Sequence, residues 1–562
     1  MMFIHEKYIR LVQGFITFCS HPQKAYQFIQ KCKKRGFKES ISNYLKNNLV
    51  FYENEFLPEL RSFSILTPPH SLPLALLFKN SLAKASFECE VFLDDNEFIS
   101  ASQESIPVVF APQVFKKLPK KFIAFQLEQR TSNWFTPSYF ELLKNASFVF
   151  EFSENNLVFL QEHGVLFSKL FYLPITPTDL SIPIENPHSS IQFDIVFYGC
   201  LNERRRKILS ELSKQFSVLI IEDSFGQSLY TELSRAKIIV NIHYYEGAQL
   251  ETTRLVEAIS LGFNVVSERT GNREDDFFKD KIVFAEQNDI NDLISKIKQS
   301  LSSWKISDKK TETKETSFFW FDFFLYRFLL SQDMLSFEDF CRFFLPSYPI
   351  SNFKICLSLP ESCERRAAFL SQKESNLFTI FPGLRHNLGW LGCGMSYKFL
   401  FSLCQKKGIE LVCICEDDVI FTANFLSRLK TIENFLLSSP NWEVYCGLIS
   451  DLSRRVEVKK QFIYEGEQFV LIDKAVGLVF TFYSKKSLAI LSAWDPFQKD
   501  VKSNTIDRFM ESHLNFFLTS LPFLVSHDAN LTSTLWGKEA GKEYEKLISE
   551  SEKKLIKLSH NP

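Results

Sequence analysis

Three consecutive carboxylates, Glu416, Asp417 and Asp418, close the apolar run LVCICEDDVIF at 411–421. Side chains two apart on an extended segment project to the same side. Glu416 and Asp418 are therefore expected to share one hard divalent cation, Mg2+ or Mn2+, of the kind that takes oxygen ligands and bridges diphosphate oxygens. Such a cation steadies negative charge on a departing group. The competing expectation for an acidic triplet is a solvated strand edge. Asp507, in NTIDRFM, stands where a loop enters a helix. A carboxylate there suits a general base that takes a proton from a hydroxyl, and equally a group stabilised by the helix dipole; Asp417 is the second candidate base. His527 and Asp528 follow another apolar run and are further candidates for contact with a metal or a substrate hydroxyl.

Basic residues recur where chains leave strands. Arg365 and Arg366 open a helical stretch after KICLSL, and Arg204, Arg205 and Arg206 open another after FDIVFYG. A helix N-terminus and a guanidinium both favour a diphosphate, although adjacent arginines cannot all face one site. Between 236 and 268, AKIIVNIHYYEGAQLETTRLVEAISLGFNVVSE reads as strand, loop, helix, glycine stop and strand. On that helix Glu251, Arg254 and Glu257 follow at i+3 steps, which is also the pattern of ordinary Glu–Arg pairing.

The elements that must position these residues read as an α/β chain. Residues 1–60 carry basic, helically spaced segments. Strand-like runs at FSILT, VVFA, FIAFQ and SFVFEF then alternate with helical stretches over 61–180, the pattern of a parallel sheet. FYLPITPTDLSIPIENPHSS (171–190) reads as a linker, and a second α/β unit spans 191–300. The polar stretch 300–316 is the clearest boundary; 301–350 holds it and an aromatic helix, SFFWFDFFLYRFLL, too short and too charged to span a bilayer. That helix is expected to be buried or to lie on a membrane surface. A third α/β unit occupies 351–545, ending in a charged amphipathic helix.

Four segments of this third unit, in order across about 352–535, resemble glycosyltransferase family 25, the lipooligosaccharide galactosyltransferase-like group. They are KICLSLPESCERRAAFL, LGCGMSYKFLFSLC, the acidic run, and KAVGLVFTFYSKKSLAIL with NTIDRFM. Gly392, Cys393, Ser396, Gly477, Ser484 and Asp507 match, while Tyr397 stands where a histidine is usual. The resemblance implies a GT-A-like nucleotide-diphospho-sugar fold and inverting hexosyl transfer from a UDP-hexose, typically UDP-galactose, to a lipopolysaccharide or other surface-glycan acceptor. Gly392 then permits a tight strand-to-helix approach, and Ser396 caps a helix or meets the sugar. The 61–300 half resembles the paired Rossmann-type domains of GT-B glycosyltransferases. Glu257 matches the glutamate that binds the nucleotide ribose there, Arg204 and Arg205 the diphosphate contacts, and Glu128 a residue of the acceptor-side half. The first glutamate of the GT-B pair falls on Gln249, with Glu246 and Glu251 nearby, so its role is unassigned. The resemblance leaves open two consecutive transferases, one active C-terminal transferase beside a docking module, or a binding protein.

Composition sets outer limits. A net charge of −1 argues against a nucleic-acid binder, which carries a basic excess. The 60 phenylalanines read as core filling. The cysteines, Cys413 and Cys415 among them, lie in apolar runs without zinc spacing, as buried thiols of a reducing compartment do. With no signal peptide in the opening residues, the expected location is the cytoplasm, with peripheral contact to the inner membrane face through the N-terminal and aromatic helices.

Overall fold

The computed structural model describes residues 61–178, 181–184, 191–304, 319–439, 441–452, 455–532 and 540–560. The helices expected over 1–60 and most of the polar boundary lie outside these residues. The first sheet holds β1 (Ser62–Leu66), β2 (Glu88–Phe92), β3 (Ile106–Phe110), β4 (Ile123–Gln126), β5 (Phe148–Glu151) and β6 (Leu170–Tyr172) in the order β2-β1-β3-β4-β5-β6. Every pairing in it is parallel. The second holds β7 (Phe193–Tyr198), β8 (Val218–Ile221), β9 (Ala236–Asn241), β10 (Asn264–Glu268) and β11 (Ile282–Ala285), ordered β11-β10-β9-β7-β8 and again all parallel. Buried β-branched and aromatic residues on both faces explain why these runs form parallel strands. The expected linker starts two residues too early: Phe171 and Tyr172 belong to Leu170–Tyr172, the sixth strand beside β5, and the irregular stretch begins at Leu173.

The third sheet is mixed. It contains β12 (Lys354–Ser358), β13 (Thr379–Pro382), β14 (Leu411–Glu416), β16 (Val444–Cys446), β17 (Val458–Tyr464), β18 (Glu467–Ile472), β19 (Phe480–Ser484) and β20 (Phe517–Leu521), ordered β13-β12-β14-β19-β16-β20-β18-β17. β12 runs parallel to β13 and β14, whereas β19 runs against β14. A short ribbon of β15 (Val419–Phe421) and β21 (Val525–His527) lies just beyond β14. In each sheet the chain reverses its direction of growth after the first strand. The crevices where ligands of open α/β sheets gather therefore open at the carboxyl ends of β1 and β3, β7 and β9, and β12 and β14.

The helices that matter to these crevices are α1 (Glu154–Glu162), α2 (Glu203–Leu212), α3 (Thr252–Ser260), α4 (Trp320–Ser331), α5 (Cys363–Ser371), α6 (Gly389–Lys406) and α7 (Ile506–His513). The aromatic helix α4 is interior. Every residue from Phe321 to Ser331 is buried, so the membrane-surface alternative fails: no apolar face is left for a bilayer. Phe328 meets Phe148, Phe150 and Phe171 of the first sheet edge-on, and Phe323 meets Phe381 of the third. Each such pair is worth about 0.5–1.5 kcal/mol beyond the area it buries, which gives the phenylalanine excess its structural use. The two charges that interrupt α4 are paired. Asp322 accepts from Ser81 and Lys84, and Arg327 forks onto Glu361 at 2.8 and 2.9 Å, donating its Nε to the Gly383 carbonyl at 2.6 Å. Among the described residues no helix is long and apolar enough to cross a membrane.

Candidate functional site

The acidic triplet sits at the carboxyl end of β14, where β12 ends beside it. The strand turns sharply after Glu416, and the ribbon holds the turn, with the Asp528 amide donating to the Asp418 carbonyl at 2.9 Å. The three acids do not share one role. Asp417 accepts from Ser358 Oγ at 2.8 Å and from Arg365 Nε at 2.6 Å. Asp418 Oδ2 pairs with Arg365 Nη2 at 2.8 Å and lies 3.2 Å from His527 Nε2, while its Oδ1 is buried without a partner. Glu416 is half-buried and points along the same cluster.

The electrostatics separate the acids further. Burial and the charge of Asp418 push the Glu416 carboxyl up to about 8, against the pull of Arg365. Burial works the same way on Asp418, but Arg365 and His527 outweigh it and hold that carboxyl down at about 2. Burial raises Asp417, with Arg365 opposing. Arg365, whose charge burial disfavours, is held firmly protonated by Asp418, Asp417 and Glu416. One guanidinium thus serves three carboxylates. The clustered carboxylates, the unpartnered Asp418 Oδ1 and the Glu416 side chain fit a hard cation, which Glu416 and Asp418 are the residues to hold if one binds. Among the described residues no three His, Cys, Asp or Glu side chains converge on a metal position by themselves. Two carboxylates with the remaining ligands drawn from diphosphate and water is the usual arrangement for Mg2+.

Asp507 lies in the first turn of α7, where its Oδ1 accepts from the Arg508 amide at 2.8 Å, and its charge is felt by Glu416. The structure thus brings Glu416, Asp417, Asp418, Arg365 and Asp507 together, with His527 on the ribbon. Other residues singled out in the sequence go elsewhere. Arg366 is buried on the far side of α5 and pairs with Glu154 of α1 at 3.0 Å, away from the acids; consecutive helical residues point about 100° apart. Gly392 gives its open side to the backbone of residues 384–386, which a Cβ would strike at 2.9 Å. Ser396 Oγ accepts from the Leu384 amide and donates to the Gly392 carbonyl, a tie within the fold rather than a contact surface. Ser358 and Tyr544 were not singled out. The first is legible as the last residue of the opening strand. Tyr544 faces His527 at 5.7 Å between ring centres, from a helix whose charge pattern gives no hint of it.

At the β7–β9 crevice the arginines are already engaged. Arg204 forks onto Glu268 at 2.5 and 2.9 Å and donates to the His243 carbonyl. Arg205 pairs with Glu251 at 2.6 Å and donates to the Ile242 and Cys200 carbonyls; Arg254 takes the other Glu251 oxygen at 3.0 Å. Burial would raise Glu251, but Arg254 and Arg205 hold it below its ordinary value. Glu257 is buried and accepts from Tyr198 at 3.0 Å and Tyr230 at 3.2 Å, with burial pushing its carboxyl up. Glu128 accepts from Gln113 and Ser132.

Residues 373–490 match the model of "Glycosyltransferase family 25 (LPS biosynthesis protein)". The matched segment contains the acidic triplet and α6, and it identifies the chain as a glycosyltransferase. No curated protein matches the chain. On the N-terminal half, solved structures are similar in fold at low scores. The lipopolysaccharide outer core galactosyltransferase WaaB is 11% identical, with a TM-score of 0.24 over 43% of this chain and 90% of that one. An alpha-glucosyltransferase in complex with UDP and a 13-mer DNA is 11% identical, with a TM-score of 0.29 over 43% and 91%. HepE of Anabaena in complex with UDP and glucose is 10% identical, with a TM-score of 0.26 over 44% and 90%. At these scores the likenesses carry no argument about activity.

Proposed function

We propose that the unit spanning about 351–545 transfers a hexose, galactose from UDP-galactose, to a lipopolysaccharide-type or other surface-glycan acceptor, on a GT-A-like frame. The observation that carries this reading is the strand-end triplet inside the family 25 segment, with one buried arginine set among three carboxylates. Glu416 and Asp418 would hold a divalent cation. When bound, that ion supplies positive charge to the leaving nucleoside diphosphate. Arg365 and Ser358 fix Asp417, and Arg365 with His527 fixes Asp418, so the carboxylates are held before substrate arrives. Such preorganisation is where electrostatic catalysis gains most. Asp507, within electrostatic reach of Glu416, is the base that takes the proton from the acceptor hydroxyl as it attacks.

One active module is the reading favoured here. At the β7–β9 crevice Arg204 and Arg205 are engaged by Glu268 and Glu251, and Glu257 by Tyr198 and Tyr230, so the two arginines matched to the diphosphate contacts are turned inward, with only exposed Arg206 of that run facing solvent. UDP-galactose turnover with and without Mn2+ tests this directly, comparing wild type with Asp418→Asn and Glu257→Ala. Mn2+-dependent turnover that vanishes only in Asp418→Asn is expected. Turnover retained in Asp418→Asn and lost in Glu257→Ala would overturn the assignment, and two separable activities would restore a bifunctional enzyme.

A further inference from the structure

The helix α8 (Ala540–His560) lies outside the matched family segment, which ends at residue 490. Its inward face recurs at helical spacing through Tyr544, Ile548, Ser551, Glu552 and Leu555. Ser551 and Leu555 are buried, Ile548 packs against the core, and Glu552 Oε1 accepts from the Phe523 amide at 2.8 Å. Phe523 stands just before β21, so α8 is docked on the segment that leads into the ribbon carrying His527. Near the start of the helix, the same face sets the Tyr544 ring against the His527 imidazole, 5.7 Å between centres with the planes tilted by 34°.

His527 has need of that contact. Its Nε2 lies 3.2 Å from Asp418 Oδ2, and its Nδ1 is buried without a partner. A histidine at a working site commonly has its second ring nitrogen fixed by a carbonyl or carboxylate, which sets the orientation of the ring. Here, among the described residues, no such bond holds Nδ1, so one polar contact and packing must orient the imidazole. Tyr544 is the aromatic ring packed on it. A pair at this separation favours one ring orientation by about two- to tenfold. The phenol hydroxyl has a different standing. Burial and the charges of Asp507 and Glu416 raise it above the ordinary phenol range, with Ser450 opposing, so it keeps its proton and does not compete with Asp507 as base.

We infer that Tyr544 is a positioning residue of the acid site, its ring keeping the His527 imidazole turned onto Asp418, so that α8 completes the site from outside the family segment. The consequence for turnover rests on the transferase reading; the ring contact does not. The test uses the full-length protein, isotopically labelled at histidine, as wild type, Tyr544→Leu, Tyr544→Phe, His527→Gln and the double variant Tyr544→Leu/His527→Gln. The His527 imidazole resonance is the one missing from His527→Gln. It is expected to stay sharp in Tyr544→Phe and to broaden or split in Tyr544→Leu, while unchanged hydrogen exchange of the Phe523 amide shows α8 still docked. With Mn2+ and UDP-galactose, kcat is expected to fall about tenfold in Tyr544→Leu with KM nearly unchanged, and to recover in Tyr544→Phe. Because Tyr544 acts through His527, adding Tyr544→Leu to His527→Gln is expected to slow turnover no further. A sharp His527 resonance in Tyr544→Leu overturns the inference. So does a Phe523 amide that exchanges faster there, a Tyr544→Phe as slow as Tyr544→Leu, or a further loss of the same size in the double variant. Absence of turnover in wild type, with the resonance responding as expected, supports the ring contact and counts against the transferase reading alone.

Discussion

Arg327→Met is the most informative single perturbation of the fold around the acids. Glu361 is fully buried. Burial opposes its charge, but Arg327 and Arg385 hold its carboxyl down at about 2, against an ordinary value of 4.5. A depressed folded pKa contributes stability that is present above about 4.5 and is lost as pH falls toward 2. At roughly 1.36 kcal/mol per unit, that is about 3 kcal/mol at neutral pH. Removing one partner of a buried pair independently gives about 3–5 kcal/mol, because the remaining charge is left uncompensated; Arg385, 3.6 Å away, is a weaker substitute. Glu361 also accepts from the Tyr172 amide at 2.8 Å, so that amide reports on the junction. Its hydrogen exchange at pH 7 is expected to accelerate about a hundredfold in Arg327→Met. The double variant Arg327→Met/Glu361→Gln, which removes both charges and keeps an oxygen acceptor for the Tyr172 amide, is expected to recover most of the protection. Acceleration below about tenfold, or a double variant as labile as the single one, would refute the reasoning.

Further outcomes are expected elsewhere. Arg365→Met leaves Asp417 and Asp418 without their shared cation and should lower kcat for UDP-galactose turnover by about a hundredfold or more; a normal kcat would remove Arg365 from the mechanism. Gly394→Ala sets a methyl against the fully buried Trp494 ring, and overpacking of this kind costs about 1–3 kcal/mol, read as a lower thermal midpoint with solubility retained at low temperature. Burial raises the Glu151 carboxyl to about 8 despite its donors Ser153, Gln126 and Asn156. A raised acid pKa means that the folded state binds the extra proton, so stability falls as pH rises from about 4.5 to about 8. Glu151→Gln should abolish that slope in melts across the same range, and an unchanged slope would place the titration elsewhere.

Much of the frame was legible because parallel strands buried on both faces leave continuous apolar runs, as in LVCICE and FDIVFY. The acids at the end of β14 were legible for the same reason: polarity begins where the sheet stops. β2 was not, because ECEVF at a sheet edge alternates acidic with apolar residues, and β6 hid beside prolines that follow it at once. The choice between Arg365 and Arg366 was beyond spacing alone, since each lies at the same helix start and only packing decides which face meets Asp417 and which meets Glu154. Likewise Arg204 finds Glu268 and Arg205 finds Glu251 from distant parts of the chain, pairings that spacing alone does not reveal. The destination of α4 was set by tertiary packing: its sequence allows either a lipid or a protein environment.

Because α4 shares its rings with Phe148, Phe150 and Phe171 on one side and Phe381 on the other, and its guanidinium with Glu361, the first and third sheets are joined through it into one interior. A fragment beginning at residue 351 would carry Glu361 into the interior with its main counter-charge cut away. One ending at residue 303 would bare the greasy flank of β5 and β6 to water. Fragments cut there are expected to be poorly soluble, and the third sheet to need the first for its stability.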